Sequence, residues 1–251
     1  MLNIVIPMAG SGARFAQAGY TVPKPFIDVA GKPMIVRVME NLAYKGSRFF
    51  LIARREHLES KRDVVEGIRK SFDATFIPIE TMTEGIACSV LHARRYIDND
   101  QPLLIANSDQ IVDIPISLFI EDCARRKLDG SILTFIDKEK NPKWSFVKVG
   151  SDNLVLETRE KAAISEYATV GIYLFSRGAT FVDAAIDMII ANDRTNNEFY
   201  TCPVFNYAIK EKKKIGIFNI EFGLMHGLGT PDDLQRYLKR AAGSPEPAVR
   251  R

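Results

Sequence analysis

A glycine-rich segment directly after the first predicted strand has the composition of an anion-binding loop. Residues 8–15 read Met-Ala-Gly-Ser-Gly-Ala-Arg-Phe, so Gly10 and Gly12 flank Ser11, and Arg14 follows. Glycines let backbone N–H groups approach an anion without a side-chain clash, and a loop after a strand presents those donors together. The planar, permanently charged guanidinium of Arg14 matches phosphate oxygens. The segment therefore predicts a phosphate-binding loop.

Two well-known kinds of glycine-rich loop do not fit this segment. A dinucleotide-binding loop has a third glycine at the start of its helix and an acidic residue at the end of the second strand. Phe15 stands at the third position here, and Arg54 and Arg55 follow the second predicted strand. A Walker loop has Gly-Lys followed by Ser or Thr, and this segment has no such sequence.

A lysine between two prolines supplies a second cation shortly after the loop. Lys24 lies in the sequence Val-Pro-Lys-Pro-Phe, and Gly-Lys-Pro-Met follows at residues 31–34. Proline fixes the backbone angle φ, so the two flanking prolines hold this lysine in one place. We therefore expect Arg14 and Lys24 to meet the charges of one polyphosphate.

A carboxylate follows the fourth predicted strand. Residues 102–106 read Pro-Leu-Leu-Ile-Ala, and Asn-Ser-Asp comes next, which places Ser108 and Asp109 at the carboxyl end of that strand. Ligands of open α/β sheets bind at this edge. One carboxylate together with phosphate oxygens suits Mg²⁺. The position and chemistry of Asp109 are therefore compatible with a Mg²⁺ site.

The first half of the sequence alternates short apolar runs with helix-length segments. The predicted strands cover residues 2–6, 49–53, 75–79 and 102–106. The predicted helices cover residues 33–43, 56–70 and 85–96. Continuous apolar runs indicate strands that are buried on both faces, and their alternation with helices indicates a mostly parallel sheet.

The second half is richer in strands. The predicted strands are residues 131–135, 145–149, 154–157, 168–175 and 215–219, and the predicted helices are residues 180–191 and 232–240. Because neither a linker-like composition shift nor a repeat is visible, we expect one domain over residues 1–241, with a β-rich insertion that covers the site. The proline-rich end, residues 242–251, is predicted to be a disordered tail.

Composition and charge exclude several kinds of partner. Lys and Arg number 34 against 31 Asp and Glu, and the net charge of +3 gives no reason to expect a nucleic acid or a membrane surface as partner. No apolar run reaches the length of about 18 residues that a membrane span needs. The start lacks a signal-peptide pattern, so a cytoplasmic protein is expected. The three cysteines have neither disulfide-scaffold nor zinc-ligand spacing.

The motifs together resemble a known family. The order Gly-x-Gly-x-Arg, Pro-Lys-Pro and Gly-Lys-Pro-Met is similar to the N-terminal signature of the sugar-phosphate nucleotidyltransferases, and the resemblance extends to about Arg240. The chain also resembles those members of the family that act in capsule biosynthesis. The resemblance implies an α/β protein with a Rossmann-like GT-A fold. It also implies an enzyme that joins a nucleoside triphosphate to a small phosphorylated acceptor and releases pyrophosphate.

The same resemblance implies roles for individual residues. Arg14 and Lys24 would be catalytic, and Asp109 would hold the metal. Residues 83–87 resemble the family's base-recognition loop, and the implied nucleotide-binding residues are Ala9, Gly10, Ser11, Gly12, Glu84, Gly85 and Ser108. The segment around Glu160-Lys161 resembles the segment that holds the sugar phosphate in the family. The implied acceptor-binding residues are Ser145, Glu160, Lys161 and Gly171.

Two segments depart from the family pattern. Many bacterial members place a second metal-binding aspartate near the C-terminus, whereas the matching residues 225–230 contain no acid. His226 is the candidate that would replace it as a metal or phosphate contact. Ser145 stands where sugar-specific members tend to have a glycine against the sugar ring.

The expected activity is transfer of a nucleoside monophosphate to a phosphorylated acceptor, with a sugar 1-phosphate as the first expectation. The alternative within the class is a CTP-dependent cytidylyltransferase that acts on a non-sugar phosphate such as phosphoglutamine. A GT-A glycosyltransferase and a non-catalytic nucleotide sensor are the alternatives of other classes. A homo-oligomer is compatible with the sequence.

Overall fold

The computed structural model describes residues 1–243, and a nine-stranded sheet forms its centre. The strands are β1 (Leu2–Pro7), β2 (Asp28–Val29), β3 (Lys32–Pro33), β4 (Ser47–Arg54), β5 (Ala74–Ile79), β6 (Leu103–Ala106), β7 (Gln110–Val112), β8 (Gly130–Ile136), β9 (Ser145–Val149), β10 (Val155–Glu160), β11 (Tyr167–Phe175), β12 (Ile215–Ile220) and β13 (Met225–Gly227).

Helices cover both faces of the sheet. They are α1 (Ala13–Gln17), α2 (Met34–Leu42), α3 (Arg55–Ser60), α4 (Arg62–Ser71), α5 (Ile86–Leu91), α6 (Arg94–Ile97), α7 (Ile116–Arg125), α8 (Gly178–Ile190), α9 (Thr201–Lys210) and α10 (Pro231–Gly243), with short 3₁₀ turns at Lys24–Phe26 and Phe222–Leu224. In the described part of the chain, none of these helices has the length and apolar character that a membrane crossing requires.

The central strands pair in the order β5–β4–β1–β6–β11. Strand β11 continues the sheet through β8 to β12 and through β9 to β10. Strands β10 and β11 run opposite to the other seven. The expected mostly parallel α/β sheet is therefore confirmed. Strands β9 and β10 extend this same sheet, and a β-rich insertion that covers the site stays a prediction.

Burial explains why the apolar runs become central strands. Alternate residues of β1 point to opposite faces, so Ile4 and Ile6 belong to the core that contains α2 and α7, whereas Val5 belongs to the core that contains α5, α8 and α9. All three side chains have no exposed surface. A strand that is buried on both faces needs apolar residues at every position, which is the pattern seen in the sequence.

Two predicted helices are wrong as continuous elements. The helix expected over residues 56–70 is broken at Lys61, whose backbone leaves the helical region (φ −129°, ψ 39°) between α3 and α4. The helix expected over residues 85–96 ends at Leu91, where the His92 and Ala93 N–H groups bond three residues back and tighten the turn.

Helix α10 extends to Gly243, beyond the start of the predicted disordered tail. The rest of that tail, residues 244–251, lies outside the described residues. The expectation of a single domain over residues 1–241 stays a prediction.

Strand pairing positions two loops that matter for function. Strands β1 and β6 are parallel neighbours, with Val5 opposite Ile105. Their carboxyl ends therefore lie side by side, and the loop after β1 meets the segment Asn107–Asp109 after β6 at one edge of the sheet.

We predict that Phe205→Ala destabilises the fold strongly. Phe205 is fully buried and stacks on Phe175 with ring centroids 4.4 Å apart. Truncation of a buried phenylalanine leaves a cavity and costs about 3–5 kcal/mol. Urea unfolding measures the loss. Ile190→Ala is the control, because Ile190 is 77% exposed and should change stability by less than about 0.5 kcal/mol. Equal effects of the two changes would contradict this packing.

Candidate active site

A cavity of about 560 Å³ opens at the carboxyl ends of β1 and β6. Its walls come from distant parts of the chain: residues 7–15, Lys24 and Pro25, the segment around Gly85, residues 107–109, Glu198 and Gly229. The cavity therefore joins the glycine-rich loop, the lysine between prolines and the strand-end aspartate, which the sequence analysis had singled out separately.

The glycine-rich loop turns tightly at Gly12. Its φ of +62° lies in the left-handed region, and a Cβ atom there would approach Cβ of Lys24 to 3.1 Å. Glycine thus allows the loop and Lys24 to lie against each other. Arg14 follows on α1 with an exposed side chain, and it forms no ion pair within residues 1–243, so its charge is available to an anion.

Lys24 and Asp109 form an ion pair inside the cavity. Their side chains are only 19% and 23% exposed, and Lys24 Nζ also lies 6.0 Å from the centroid of the Phe15 ring. Pro23 precedes the 3₁₀ turn that begins at Lys24, so the backbone here is stiff. The three groups on which the sequence hypothesis depends, Arg14, Lys24 and Asp109, line one cavity.

Asp109 is the carboxylate best placed to hold a divalent ion. The Leu228 N–H donates to the Asp109 carbonyl oxygen (2.7 Å), and a Cβ atom on Gly229 would lie 3.0 Å from the Asp109 carboxylate. Among residues 1–243 no group of three or more His, Cys, Asp or Glu side chains could hold a metal. Mg²⁺ is often bound by one or two carboxylates plus substrate phosphates, and the donor set fits that mode.

His226 lies outside the cavity lining. Its Nε2 is 2.7 Å from Asp113 Oδ2, and Arg240 Nη2 donates to the same oxygen at 3.1 Å. Asp113 thus connects His226 on β13 with Arg240 on α10. The polar partner of His226, Asp113, does not line the cavity either.

The predicted base-recognition loop packs on the segment that carries Phe199. Gly85 has a φ of +120°, and a Cβ atom there would lie 2.4 Å from the Phe199 carbonyl oxygen. The Phe199 N–H donates to Glu84 O (2.8 Å), and its carbonyl accepts from the Ala87 N–H (2.9 Å). The Glu84 carboxylate pairs with Arg194 (2.7 Å) and does not line the cavity, whereas Gly85 does.

The predicted acceptor-binding residues form a polar cluster outside the cavity lining. The Ser145 hydroxyl donates to the Glu160 carboxylate, and Lys161 Nζ donates to the Tyr200 hydroxyl (2.7 Å). Burial raises the pKa of Glu160 above its ordinary value. Glu198 lines the cavity, and its charge also raises the pKa of Glu160 and Lys161, which places it between the cavity and this cluster.

Gly171 connects the cluster to the strand-end segment. Its φ is +89°, its carbonyl accepts from the Asn107 N–H (3.0 Å), and a Cβ atom there would lie 2.3 Å from Asn107 Nδ2. Glycine is needed at this position because Asn107 packs directly on the backbone. Ser108 lines the cavity beside Asn107.

Sequence reasoning missed Glu198 and Tyr200. Both lie in an irregular stretch before α9, where hydrophobic periodicity gives no signal. Tyr200 is 39 residues from the lysine that it contacts, so only the folded structure brings the two together.

We predict that Glu160→Gln stabilises the fold increasingly as the pH rises. The folded-state pKa of Glu160 is raised above 4.5, so the folded protein holds a proton that the unfolded chain has lost. Wild-type stability therefore falls as the pH rises from 4.5 through the raised pKa, and glutamine lacks this titration. Urea unfolding at pH 5 and pH 8 should show a larger gain at pH 8.

Glu139→Gln, in an exposed turn, controls for the loss of one negative charge. A Glu160→Gln difference that is the same at both pH values would contradict the buried position of this carboxylate.

Comparison with known proteins identifies the family. The nucleotidyl transferase family matches residues 4–234. The "bifunctional protein GlmU" of Methanococcus maripaludis is 24% identical over 93% of this chain and 53% of its own length. The "mannose-1-phosphate guanylyltransferase catalytic subunit beta" of Danio rerio is 27% identical over 70% of this chain and 50% of its own. The chain thus spans about half the length of these curated relatives.

Two solved structures share the fold. The nucleoside-diphosphate-sugar pyrophosphorylase of Vibrio cholerae RC9 superposes with a TM-score of 0.80 at 25% identity, covering 94% of this chain and 99% of the other. A putative glucose-1-phosphate thymidylyltransferase of Bacillus anthracis superposes with a TM-score of 0.76 at 18% identity, covering 98% of each chain. The resemblance in the sequence motifs is confirmed, and the chain belongs to the nucleotidyl transferase family.

Proposed function

We propose that this chain transfers a nucleoside monophosphate from a nucleoside triphosphate to a sugar 1-phosphate and releases pyrophosphate. The observation that carries the proposal is the convergence of Arg14, Lys24 and Asp109 on one cavity of about 560 Å³. Two cations and a glycine-rich loop suit a polyphosphate, and a strand-end carboxylate suits its divalent counter-ion.

In this reaction an acceptor phosphate oxygen attacks the α-phosphorus, the bond from the α-phosphorus to the bridging oxygen breaks, and pyrophosphate leaves with that oxygen. Both reactants are anions, so the protein lowers the barrier mainly by positioning them in line and by offsetting their charge. Arg14 and Lys24 supply positive charge beside the triphosphate. The backbone of residues 9–12 (Ala9, Gly10, Ser11 and Gly12) supplies N–H donors.

Asp109 would hold Mg²⁺, which when bound offsets phosphate charge in the cavity. In the free protein Lys24 neutralises this carboxylate. His226 takes no part in the proposal, because its imidazole pairs with Asp113.

We assign the base to the turn at Gly85, which lines the cavity, and the acceptor to the polar cluster of Ser145, Glu160 and Lys161 next to it. The turn at Gly85 would read the nucleobase through backbone groups, since the Glu84 side chain is held by Arg194, and Ser108 would contact the nucleotide. Lys161 would bind the acceptor phosphate. Ser145, Glu160 and Gly171 would form the polar wall against the rest of the acceptor.

The relatives favour a sugar 1-phosphate over the alternatives. One relative is named for mannose 1-phosphate and one solved structure for glucose 1-phosphate, whereas neither name points to phosphoglutamine. Membership of the nucleotidyl transferase family likewise favours nucleotidyl transfer over glycosyl transfer. A link to capsule biosynthesis, a cytoplasmic location and a homo-oligomer stay predictions.

Pyrophosphate release tests the proposal directly. The protein is incubated with Mg²⁺, each of the four common nucleoside triphosphates and a panel of acceptors that contains hexose 1-phosphates, phosphoglutamine and no acceptor. We expect release with one triphosphate and a hexose 1-phosphate only. Release with phosphoglutamine alone would overturn the sugar assignment. Nucleotide binding without release under any condition would favour a sensor.

We predict that Arg14→Ala lowers turnover by roughly 10²–10³, because loss of one preorganised donor to transition-state charge has costs of that order. Steady-state kinetics with the best substrate pair measures the effect. Arg125→Ala is the matched control, since Arg125 lies on α7 with its side chain 73% exposed and outside the cavity. A variant at position 14 with near-normal turnover would remove Arg14 from the site.

A further inference from the structure

A short segment, residues 194–200, touches both ends of the candidate site. Arg194 and Phe199 pack on the predicted base loop, Glu198 lines the cavity, and Tyr200 contacts Lys161. We refer to residues 194–200 as the bridging segment. The contact between Tyr200 and Lys161 is the part of it that the proposed function does not yet explain.

Lys161 adopts an unusual backbone conformation. Its φ of +54° lies in the left-handed region, which disfavours residues with a Cβ atom. The residue directly follows β10, and its N–H donates to the Trp144 carbonyl (3.1 Å). Lys127, Lys140 and Lys212 have the same conformation, so it describes the turn after β10 and does not by itself mark a site. Here the turn directs the ammonium toward the bridging segment.

Tyr200 holds this ammonium through its hydroxyl. The Tyr200 hydroxyl accepts a hydrogen bond from Lys161 Nζ at 2.7 Å, and Nζ lies 4.8 Å from the ring centroid, beyond the hydroxyl oxygen and not over the ring face. A phenol that remains protonated is a neutral partner, and burial raises the pKa of Tyr200, so it stays neutral at ordinary pH. The tyrosine therefore fixes the position of the cation and leaves its charge in place.

The contrast with Lys24, the other lysine assigned to the candidate site, shows why a neutral partner matters. Lys24 pairs with a carboxylate at short range. Lys161, in contrast, makes no ion pair with any residue that the structure describes, although Glu160 is its neighbour in sequence. Besides the hydrogen bond with Tyr200, the charges of Glu160 and Glu198 raise the pKa of Lys161 without an ion-pair contact. An ammonium that is oriented by a neutral group and has no carboxylate bound to it is suited to receive a phosphate dianion.

We propose that Tyr200 is a positioning residue for the acceptor: its hydroxyl holds the Lys161 ammonium, without a directly bound carboxylate, where the acceptor phosphate binds. This inference rests on the proposed function. The residue acts through Lys161 and not on the reacting atoms, so its loss affects acceptor binding and leaves triphosphate binding intact.

Tyr200→Phe is the direct test, because it keeps the ring and removes the hydroxyl. We expect the KM for the hexose 1-phosphate to rise roughly tenfold, the scale of one hydrogen bond to a charged group. The KM for the triphosphate and the unfolding temperature should stay close to those of the wild type. An unchanged acceptor KM, or equal increases in both KM values, would overturn the proposal.

Tyr207→Phe is the matched control. Tyr207 also lies next to a lysine, with Lys210 Nζ 4.0 Å from the ring centroid, and its hydroxyl donates to Asp193 at 3.1 Å. It lies on α9 outside the cavity lining. Tyr207→Phe should leave both KM values unchanged, which separates the loss of a phenol hydroxyl in general from the loss of this one.

A second measurement does not depend on activity. The hydrogen bond with Tyr200 raises the pKa of Lys161, so Tyr200→Phe should increase the acetylation rate of Lys161 by acetic anhydride at pH 8. Mass spectrometry follows Lys161, with Lys210 as the internal reference. An unchanged rate at Lys161 would overturn the proposal even in a protein with no detectable activity. Wild-type protein that releases no pyrophosphate with any acceptor would instead overturn the proposed function.

Discussion

The candidate site depends on the ion pair between Lys24 and Asp109. These residues come from separate parts of the chain, and both side chains are largely shielded from water in a cavity with few other charges. An unpaired charge there would be costly, so each holds the other until a ligand enters. The parallel pairing of β1 and β6 makes the contact attainable, because it sets the two strand ends side by side.

The two lysines of the candidate site have different kinds of partner. Lys24 is neutralised by a carboxylate, whereas Lys161 is held by a phenol and keeps its full charge. The first arrangement protects a cation in a confined cavity. The second keeps a more exposed cation ready for an anion, where solvent already lowers the cost of an unpaired charge. Arg14, which forms no ion pair within residues 1–243, also keeps its positive charge available.

Much of the fold could be predicted from the sequence because buried parallel strands leave continuous apolar runs. The predicted ends of β1, β5 and β6 therefore agree with the structure to within one residue, and β4 was predicted two residues short at its start and one at its end. Helices α7 and α9 were not predicted; α9 contains Pro203 and apolar residues in succession, so its pattern is not that of an amphipathic helix. Short motifs identified the loops that line the cavity. Tyr200 gave no such signal, because its contact is with Lys161, which is 39 residues away in the sequence.

The bridging segment has a consequence for how two substrates are recognised. One continuous stretch of backbone supports the turn at Gly85 and also the phenol beside Lys161. If the first substrate to arrive orders this stretch, the second finds it already ordered. Linkage then requires that each ligand strengthen the other's affinity by the same factor. The selectivities for base and acceptor thus share one backbone support. A change that disturbs this backbone acts on both, whereas removal of the Tyr200 hydroxyl alone leaves the backbone contacts at Gly85 in place.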